Sequence, residues 1–319
     1  MTLRQLEYFV AVARTGSFTA AASELHVSQP TLSQQVRALE QEIGAMLIER
    51  LARGIRLTPA GRAMFGDAQA TLASARRALD STRRAIAAEP QVITLATVRS
   101  LAAAVLPAAI QRWHAVHPEV SVSMLEFASR HGVAEAVREG TAELGIGPLP
   151  DGWTGAHTAL GWEQLILVLP PSDPLAATSG EIRLEALANR DWVLYEEGHG
   201  LRDQAMAACR AAGFTPSCAV QTAQVEVAAR LAAAGIGPTL VPIKNVPSDL
   251  RQNVRAIDPP VTWRVWAYAI AAEFPATARA FAEVLLEGPW QRSADALPVH
   301  DAHSPASTAS SVAGSRAMS

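Results

Sequence analysis

The chain has 319 residues, a length suited to about two domains. Nearly half of them are hydrophobic (49%), enough to bury real cores, and a net charge of −3 excludes a uniformly basic nucleic-acid binder. Charge is unevenly placed all the same: residues 1–90 carry 11 Arg against 8 Asp and Glu, whereas the remainder carries 16 basic against 22 acidic residues. A slightly basic front on an acidic body suits DNA contact at one end.

Two cysteines, Cys209 and Cys218, are too few for a disulfide framework. The N-terminal Met1-Thr2-Leu3-Arg4-Gln5 lacks an apolar signal core, and no apolar run is long enough to span a bilayer. The expected location is therefore the cytoplasm, with no membrane partner.

Residues 3–14 read as a helix, with Leu3, Leu6, Val10 and Ala13 on one face. Thr15-Gly16-Ser17 breaks it, and Ser17 can cap a second helix over 18–25 that packs Ala21, Ala22 and Leu25. Ser28 caps a third, with Pro30 in its first turn and Leu32, Val36, Leu39 and Ile43 as its buried stripe. Its opposite face carries Pro30, Ser33, Gln34 and Arg37. This is the pattern of a helix-turn-helix. Residues 46–58 read as two short strands around an Arg-Gly turn, a wing.

Thr58-Pro59 opens a long helix running to about residue 90, with Met64, Ala68, Leu72, Ala75, Leu79 and Ile86 at helical spacing. A stripe that long is expected to pair with its counterpart in a homodimer. From Val92 the pattern alternates. Strands are expected at 92–97, 120–126, 143–147, 165–169, 192–195, 219–222, 239–241 and 263–270. Helices are expected at about 100–116, 132–139, 184–188, 201–212, 224–234 and 276–287. That is an α/β domain with mostly parallel sheets. The runs at 161–168 and 263–270 could cross between two subdomains, leaving a ligand cleft between them. Beyond Trp290 the chain is rich in Ser, Ala and Pro and is expected to be disordered.

From Leu3 to Gly61 the sequence resembles the DNA-binding domain of LysR-type transcriptional regulators. The matching runs are Leu6-Glu7-Tyr8-Phe9-Val10-Ala11-Val12-Ala13, Gly16-Ser17-Phe18-Thr19-Ala20-Ala21-Ala22, Leu25-His26-Val27-Ser28-Gln29-Pro30-Thr31-Leu32-Ser33, Leu39-Glu40 and Leu57-Thr58-Pro59-Ala60-Gly61. The segment from Val225 to Pro242 is similar to part of that family's sensing domain. Two departures are visible: Leu47-Ile48 stands where Leu-Phe is common, and Gln34 where Arg is frequent.

The resemblance implies a winged helix-turn-helix at 1–58, a linker and dimerisation helix at 59–90, and an α/β effector domain at 91–290. That domain would have two Rossmann-like subdomains of the periplasmic-binding-protein type: about 91–160 plus 267–290, and about 161–266. The implied partners are double-stranded promoter DNA, a small-molecule effector and further copies of the chain, up to a homotetramer.

The expected DNA-contacting residues are Gln29, Pro30, Thr31, Ser33, Gln34 and Arg37 on the third helix, and Arg50, Arg53 and Arg56 on the wing. Gln suits adenine edges, and Arg suits guanine or phosphate. Arg50 stands equally as a structural ion-pair partner.

In the sensing domain Ser100 opens the helix after the first strand, where free N–H groups favour an anion. The resemblance implies effector binding there, and Arg99 beside it suggests an anionic effector or else a surface ion pair. Ser129, Gly147 and Pro148 would face the same cleft, and His199 either lines it or sits exposed on a loop.

The segment from Glu197 to Cys209 is similar to the redox segment of the peroxide-sensing branch, but Gly200 occupies the position of its reactive cysteine. Glycine supplies no thiolate, so peroxide sensing by that dithiol is rejected. Cys218 could pair with Cys209, although a buried helix thiol is the simpler reading.

His114 and His117 have a metal-compatible spacing without a third ligand. Trp153, Trp162, Trp263 and Trp266 read as core or cleft-wall aromatics, and no nucleophile–histidine motif or phosphate-binding glycine loop stands out. No cofactor, metal or catalytic role is expected. The rivals are a two-lobed solute-binding protein, a cleft enzyme, and a DNA-binding protein whose second domain only oligomerises.

Overall fold

A computed structural model describes residues 1–51, 54–86, 91–178 and 180–290. Arg53, residues 87–90, where the long helix was expected to end, and the tail at 291–319 lie outside the described residues.

The first three helices are α1 (Leu3–Thr15), α2 (Phe18–Glu24) and α3 (Gln29–Ile43). Each start is capped by a hydroxyl: Thr2 accepts from Gln5 N–H, Ser17 from Ala20 and Ser28 from Thr31. Gly16 and Gly44 end α1 and α3 in the left-handed region, at φ 69° and 76°, where a side chain would be strained. The wing is an antiparallel pair, β1 (Ile48–Arg50) and β2 (Ile55–Leu57), with Glu49 opposite Arg56. Glu40 ties α3 to it by accepting from the Leu47 and Ile48 amides at 2.8 and 3.1 Å.

Phe9, Val12, Leu32, Val36, Leu39 and Leu47 are fully buried between these elements. Each removes apolar surface worth about 1.5–3 kcal/mol. The expected stripe on α1 needs correction, because Leu3 is 49% exposed and the buried face centres on Leu6, Phe9 and Val12. Ile43, expected in the core, is 41% exposed at the end of α3.

The long helix α4 (Pro59–Ile86) buries Ala68 against the helical core, with Met64, Phe65 and Leu72 packed beside it. Ala73 is buried against a second cluster that belongs to the α/β domain. The first half of the stripe is thus covered within the chain. Leu79, farther along, is 59% exposed.

The α/β domain opens with β3 (Gln91–Val98), α5 (Arg99–Ala104), α6 (Leu106–Val116), β4 (Val120–Phe127), α7 (Arg130–Arg138) and β5 (Leu144–Gly147). The single helix expected over 100–116 breaks at Val105. Pro107 has no N–H to continue the helical ladder and disfavours helical geometry at the residue before it. Then come β6 (His157–Val168), β7 (Asp191–Tyr195), α8 (Gly200–Ala211), β8 (Ser217–Thr222), α9 (Val225–Ala233), β9 (Thr239–Pro242), β10 (Val254–Arg255), β11 (Val261–Tyr268) and α10 (Ala276–Leu286). The helix expected at 184–188 is a short 3-10 turn, Leu184–Leu187.

One curled mixed sheet runs in the order β10-β6-β11-β5-β3-β4, with β9 also on β6, and β7 and β8 form a separate parallel pair. The mostly parallel expectation holds for β3, β4 and β5, whereas β11 and β6 pair antiparallel with each other and with their neighbours. These two long strands carry the sheet from one half of the domain to the other. Residues 266–268 of β11 pair with β5, while residues 165–168 of β6 pair with β9. Their mutual register shifts between Val265 and Trp266, opposite Gly161 and Ala159. A bulge there bends both strands at the middle of the domain.

Candidate functional site

Two places gather the polar residues singled out above. The first is the outer face of α3. Pro30, Thr31, Gln34 and Arg37 are exposed and Gln29 is half-buried. Ser33 departs from expectation: it is buried, and its hydroxyl accepts from Arg50 Nη2 at 2.7 Å. The Arg50 guanidinium also lies 4.4 Å from the Phe18 ring centre. Arg50 is thus held by a hydrogen bond and an aromatic face, where an ion pair had been the structural alternative. Arg56 donates twice to Glu49 across the wing, at 2.7 and 3.1 Å. Arg37 has no such partner among the described residues. Of the three described arginines, it is the one whose guanidinium is wholly uncommitted.

The second place is a cavity of about 410 Å³ where β3, β4 and β5 end opposite the start of α8. Arg99, Ser100, Ser129, Pro148 and His199 line it, five of the six residues expected there. Gly147 is the exception, because it stands behind Val98, whose side chain forms the wall. Ser100 is buried and Ser129 precedes α7 without capping it, and neither hydroxyl has a hydrogen-bond partner among the described residues.

Sequence reading missed Asp203 and Gln204. They lie three and four residues beyond Gly200, one helical turn into α8 and on the same face, and that spacing could have identified them. The Gln204 Oε1 atom is buried without a partner among the described residues. Trp153, Trp263 and Trp266 supply the apolar wall. Arg264 also lines the cavity, its guanidinium 4.5 Å from the Trp266 ring centre and 5.7 Å from that of Trp162. Its approach depends on the register of β11 against β6 and β5, which the expected crossover at 263–270 did not specify.

Two hydrogen bonds hold the halves of the domain together beside the cavity. Gly200 N–H donates to the Ala128 carbonyl at 3.0 Å, and the Asn245 side chain donates to the Ser100 carbonyl at 3.0 Å.

His199 is buried, stacks on Tyr195 at 4.8 Å, and accepts from Leu201 N–H through Nδ1. Burial holds its pKa below the ordinary 6.5. The Arg99 charge acts in the same direction, against Asp203 and the Ala223 carbonyl. A depressed folded-state value means that the unfolded chain takes up the proton first. Its stabilising contribution is present above about pH 6.5 and is lost as pH falls from there through the depressed folded-state value. Melting temperatures of the wild type should drop more between about pH 7.5 and 5.5 than those of His199→Gln. Equal drops would show that the ring does not titrate with unfolding.

His117, Cys209 and Cys218 do not line the cavity. The His117 ring lies 4.1 Å from that of Trp113, with Nδ1 3.6 Å from Glu119. Cys209 is buried in α8, its thiol pushed up to about 12 by burial, while Cys218 is exposed on β8, and both are free. No helix among the described residues is long and apolar enough to cross a membrane.

Residues 3–62 match the family model described as a bacterial regulatory helix-turn-helix protein of the lysR family, and residues 87–290 match the LysR substrate binding domain. The chain belongs to the LysR family. It is a LysR-type DNA-binding transcriptional regulator with an effector-binding domain, and the family is one of regulators rather than enzymes.

Among its relatives, the transcriptional regulator TfdS of Cupriavidus pinatubonensis is 35% identical over 76% of this chain and 82% of its own length. A probable hydrogen peroxide-inducible genes activator of Mycobacterium avium is 34% identical over 79% and 81%. A cysteine mutant of Corynebacterium glutamicum OxyR has a similar solved structure, with a TM-score of 0.56 and 28% identity. That match covers 89% of this chain and 90% of the other. Against the family pattern, Ile48 is a buried core replacement at the wing, whereas Gln34 lies exposed on the face that would meet DNA.

Proposed function

We propose that this LysR-type regulator binds promoter DNA through Gln29, Pro30, Thr31, Gln34 and Arg37 of α3, with Arg50, Arg53 and Arg56 of the wing on the backbone. Its binding or activation is tuned by a small anionic effector held between the two halves of the α/β domain. The observation that carries the effector reading is the cavity itself, which draws polar groups from both halves: Arg99, Ser100 and Ser129 from one, His199 and Gln204 from the other. Such a site stabilises whichever arrangement of the halves it fits better, which is the requirement for a ligand to shift a population.

The exposed Leu79 on α4 supports dimerisation through the part of the helix that its own chain leaves uncovered, with tetramers forming through the α/β domains. The place of action is the cytoplasm, with the DNA, and no reaction is assigned to the cavity. Peroxide sensing by a dithiol is set aside. Gly200 carries no thiol, and a Cys209 thiol held near 12 offers almost no thiolate at neutral pH.

The test is a thermal-shift series on the full chain with small carboxylates, aromatic acids, phosphates and amino acids. A concentration-dependent rise in melting temperature with one anionic class is expected, and Arg99→Ala should lose most of it. A rise produced only by neutral compounds, or one untouched by Arg99→Ala, would overturn the anionic reading.

A further inference from the structure

Five charged side chains line the effector cavity, and they are not equally committed. Arg130 and Asp151 hold each other, at 2.9 and 3.5 Å. The Arg264 guanidinium lies against two indole faces. Arg99 and Asp203 remain. Neither side chain has a hydrogen-bond or ion-pair partner among the described residues, although both line the same cavity.

The two charges come from opposite halves of the domain. Arg99 opens α5 and is followed by Ser100, while Asp203 sits in the first turn of α8 and is followed by Gln204. The halves meet close by. Gly200 N–H donates to the Ala128 carbonyl, and a Cβ on Gly200 would be 3.9 Å from Ser129 Cα. His199 feels both charges, Arg99 opposing its protonation and Asp203 favouring it, yet it neutralises neither. Burial keeps the ring uncharged at neutral pH, Leu201 N–H occupies Nδ1, and the ring is stacked on Tyr195.

The cavity is therefore polarised across its width. One wall offers the Arg99 cation with the hydroxyls of Ser100 and Ser129. The other offers the Asp203 carboxylate beside the buried Gln204 amide, whose Oε1 has no partner among the described residues. An occupant that carries an acid alone satisfies the first wall and meets a like charge at the second, which costs affinity. An occupant that also carries an ammonium group satisfies both, through charge-assisted hydrogen bonds of the stronger kind.

We propose that the effector is an amino acid, its carboxylate held by Arg99, Ser100 and Ser129 and its ammonium group by Asp203. The cavity volume of about 410 Å³ suits a molecule of that size. Trp153, Trp263 and Trp266 form the remaining wall, where an apolar or aromatic side chain completes the fit. The proposal rests on the anionic reading above, the carboxylate being the group that Arg99 holds, and adds the second charge and the residue that selects it. An acid in the first turn of a helix also favours the helix dipole. That purely structural role would change stability without changing ligand preference.

Thermal-shift titrations of the full chain with the standard L-amino acids test it. Each is compared with its deaminated acid, which lacks the ammonium group, and with its carboxamide, which lacks the carboxylate. The reading is the concentration that gives half the maximal rise in melting temperature. At least one amino acid should produce such a rise, and removing its ammonium group should increase that concentration about tenfold or more. Asp203→Asn should erase the preference for the amino acid over its deaminated acid, and Asp203→Glu should keep it. Arg99→Ala should weaken the amino acid and the deaminated acid alike.

Deaminated acids that match their amino acids would overturn the proposal and leave the anionic reading standing. So would a preference that survives Asp203→Asn, even if that variant melts lower, since Asp203 would then serve only the helix. Failure of every amino acid to raise the melting temperature would also sink it. Carboxamides as effective as the amino acids, with Arg99→Ala changing nothing, would instead remove the anionic reading on which the proposal rests.

Discussion

Gly61→Ala should abolish DNA binding while leaving the effector domain folded. Gly61 is buried at the start of α4, where that helix passes beneath the wing. A Cβ there would overlap the Leu47 carbonyl oxygen, well inside van der Waals contact distance, and lie within 2.9 Å of its carbon and 3.1 Å of a Leu57 methyl. The obstacle is backbone, so rotating a side chain cannot relieve it.

The junction cannot slide either. Thr58 Oγ1 donates to the Met46 carbonyl at 2.6 Å and accepts from Gly61 N–H at 3.0 Å, and Thr58 N–H donates to the Leu47 carbonyl at 3.0 Å. Overpacking against a fixed backbone costs about 3 kcal/mol or more, a large share of the stability of a 60-residue head. Thermal unfolding followed by amide exchange should show residues 1–62 melting early and 91–290 near the wild-type temperature. Wild-type DNA affinity in this variant would mean that α4 can shift away from the wing at little cost.

Arg37→Ala should weaken binding to the regulator's own operator by about 1–3 kcal/mol, roughly five- to 150-fold. Its guanidinium has no protein partner among the described residues, so removing it leaves no orphaned group and no cavity. The melting temperature should therefore stay constant. Arg50→Ala is the informative contrast, because that side chain also satisfies Ser33 and covers Phe18. Its loss should lower affinity and stability together. Electrophoretic or anisotropy titrations at two salt concentrations separate the roles. A phosphate contact lowers the salt slope by about one and weakens all sequences alike, whereas a base contact relaxes preference at one position. An Arg37→Ala protein with undiminished operator affinity would remove α3's central arginine from the interface.

The helix-turn-helix was legible because its signals are local. Ser17 and Ser28 can cap, Gly16 and Gly44 can turn left-handed, and Leu32, Val36 and Leu39 repeat at helical spacing whatever surrounds them. Strand ends and helix starts, together with the family resemblance, pointed Ser100, Ser129 and Pro148 to the cavity, whereas His199 stood open between the cavity and an exposed loop until the structure placed it in the lining. It failed where burial depends on what arrives from elsewhere. Ser33 looks like part of a solvated face until Arg50, from the wing, covers it. Leu3 looks buried until the core is seen to centre on Phe9, and Ile43 fits the stripe but extends past the elements that could cover it.

By itself, then, the sequence determined the order of most elements and the polar face of α3, because periodicity, capping and turn chemistry act over a few residues, and its matched motifs carried the family resemblance and five of the residues around the effector cavity. Only the tertiary structure decided which arginines are free and which are spent, how β6 and β11 cross to bring Trp153, Gln204 and Arg264 to one cavity, and where Ala73 seats against Gly140. Those contacts join residues far apart in the chain. Their geometry follows from how whole elements pack, and no local pattern encodes it.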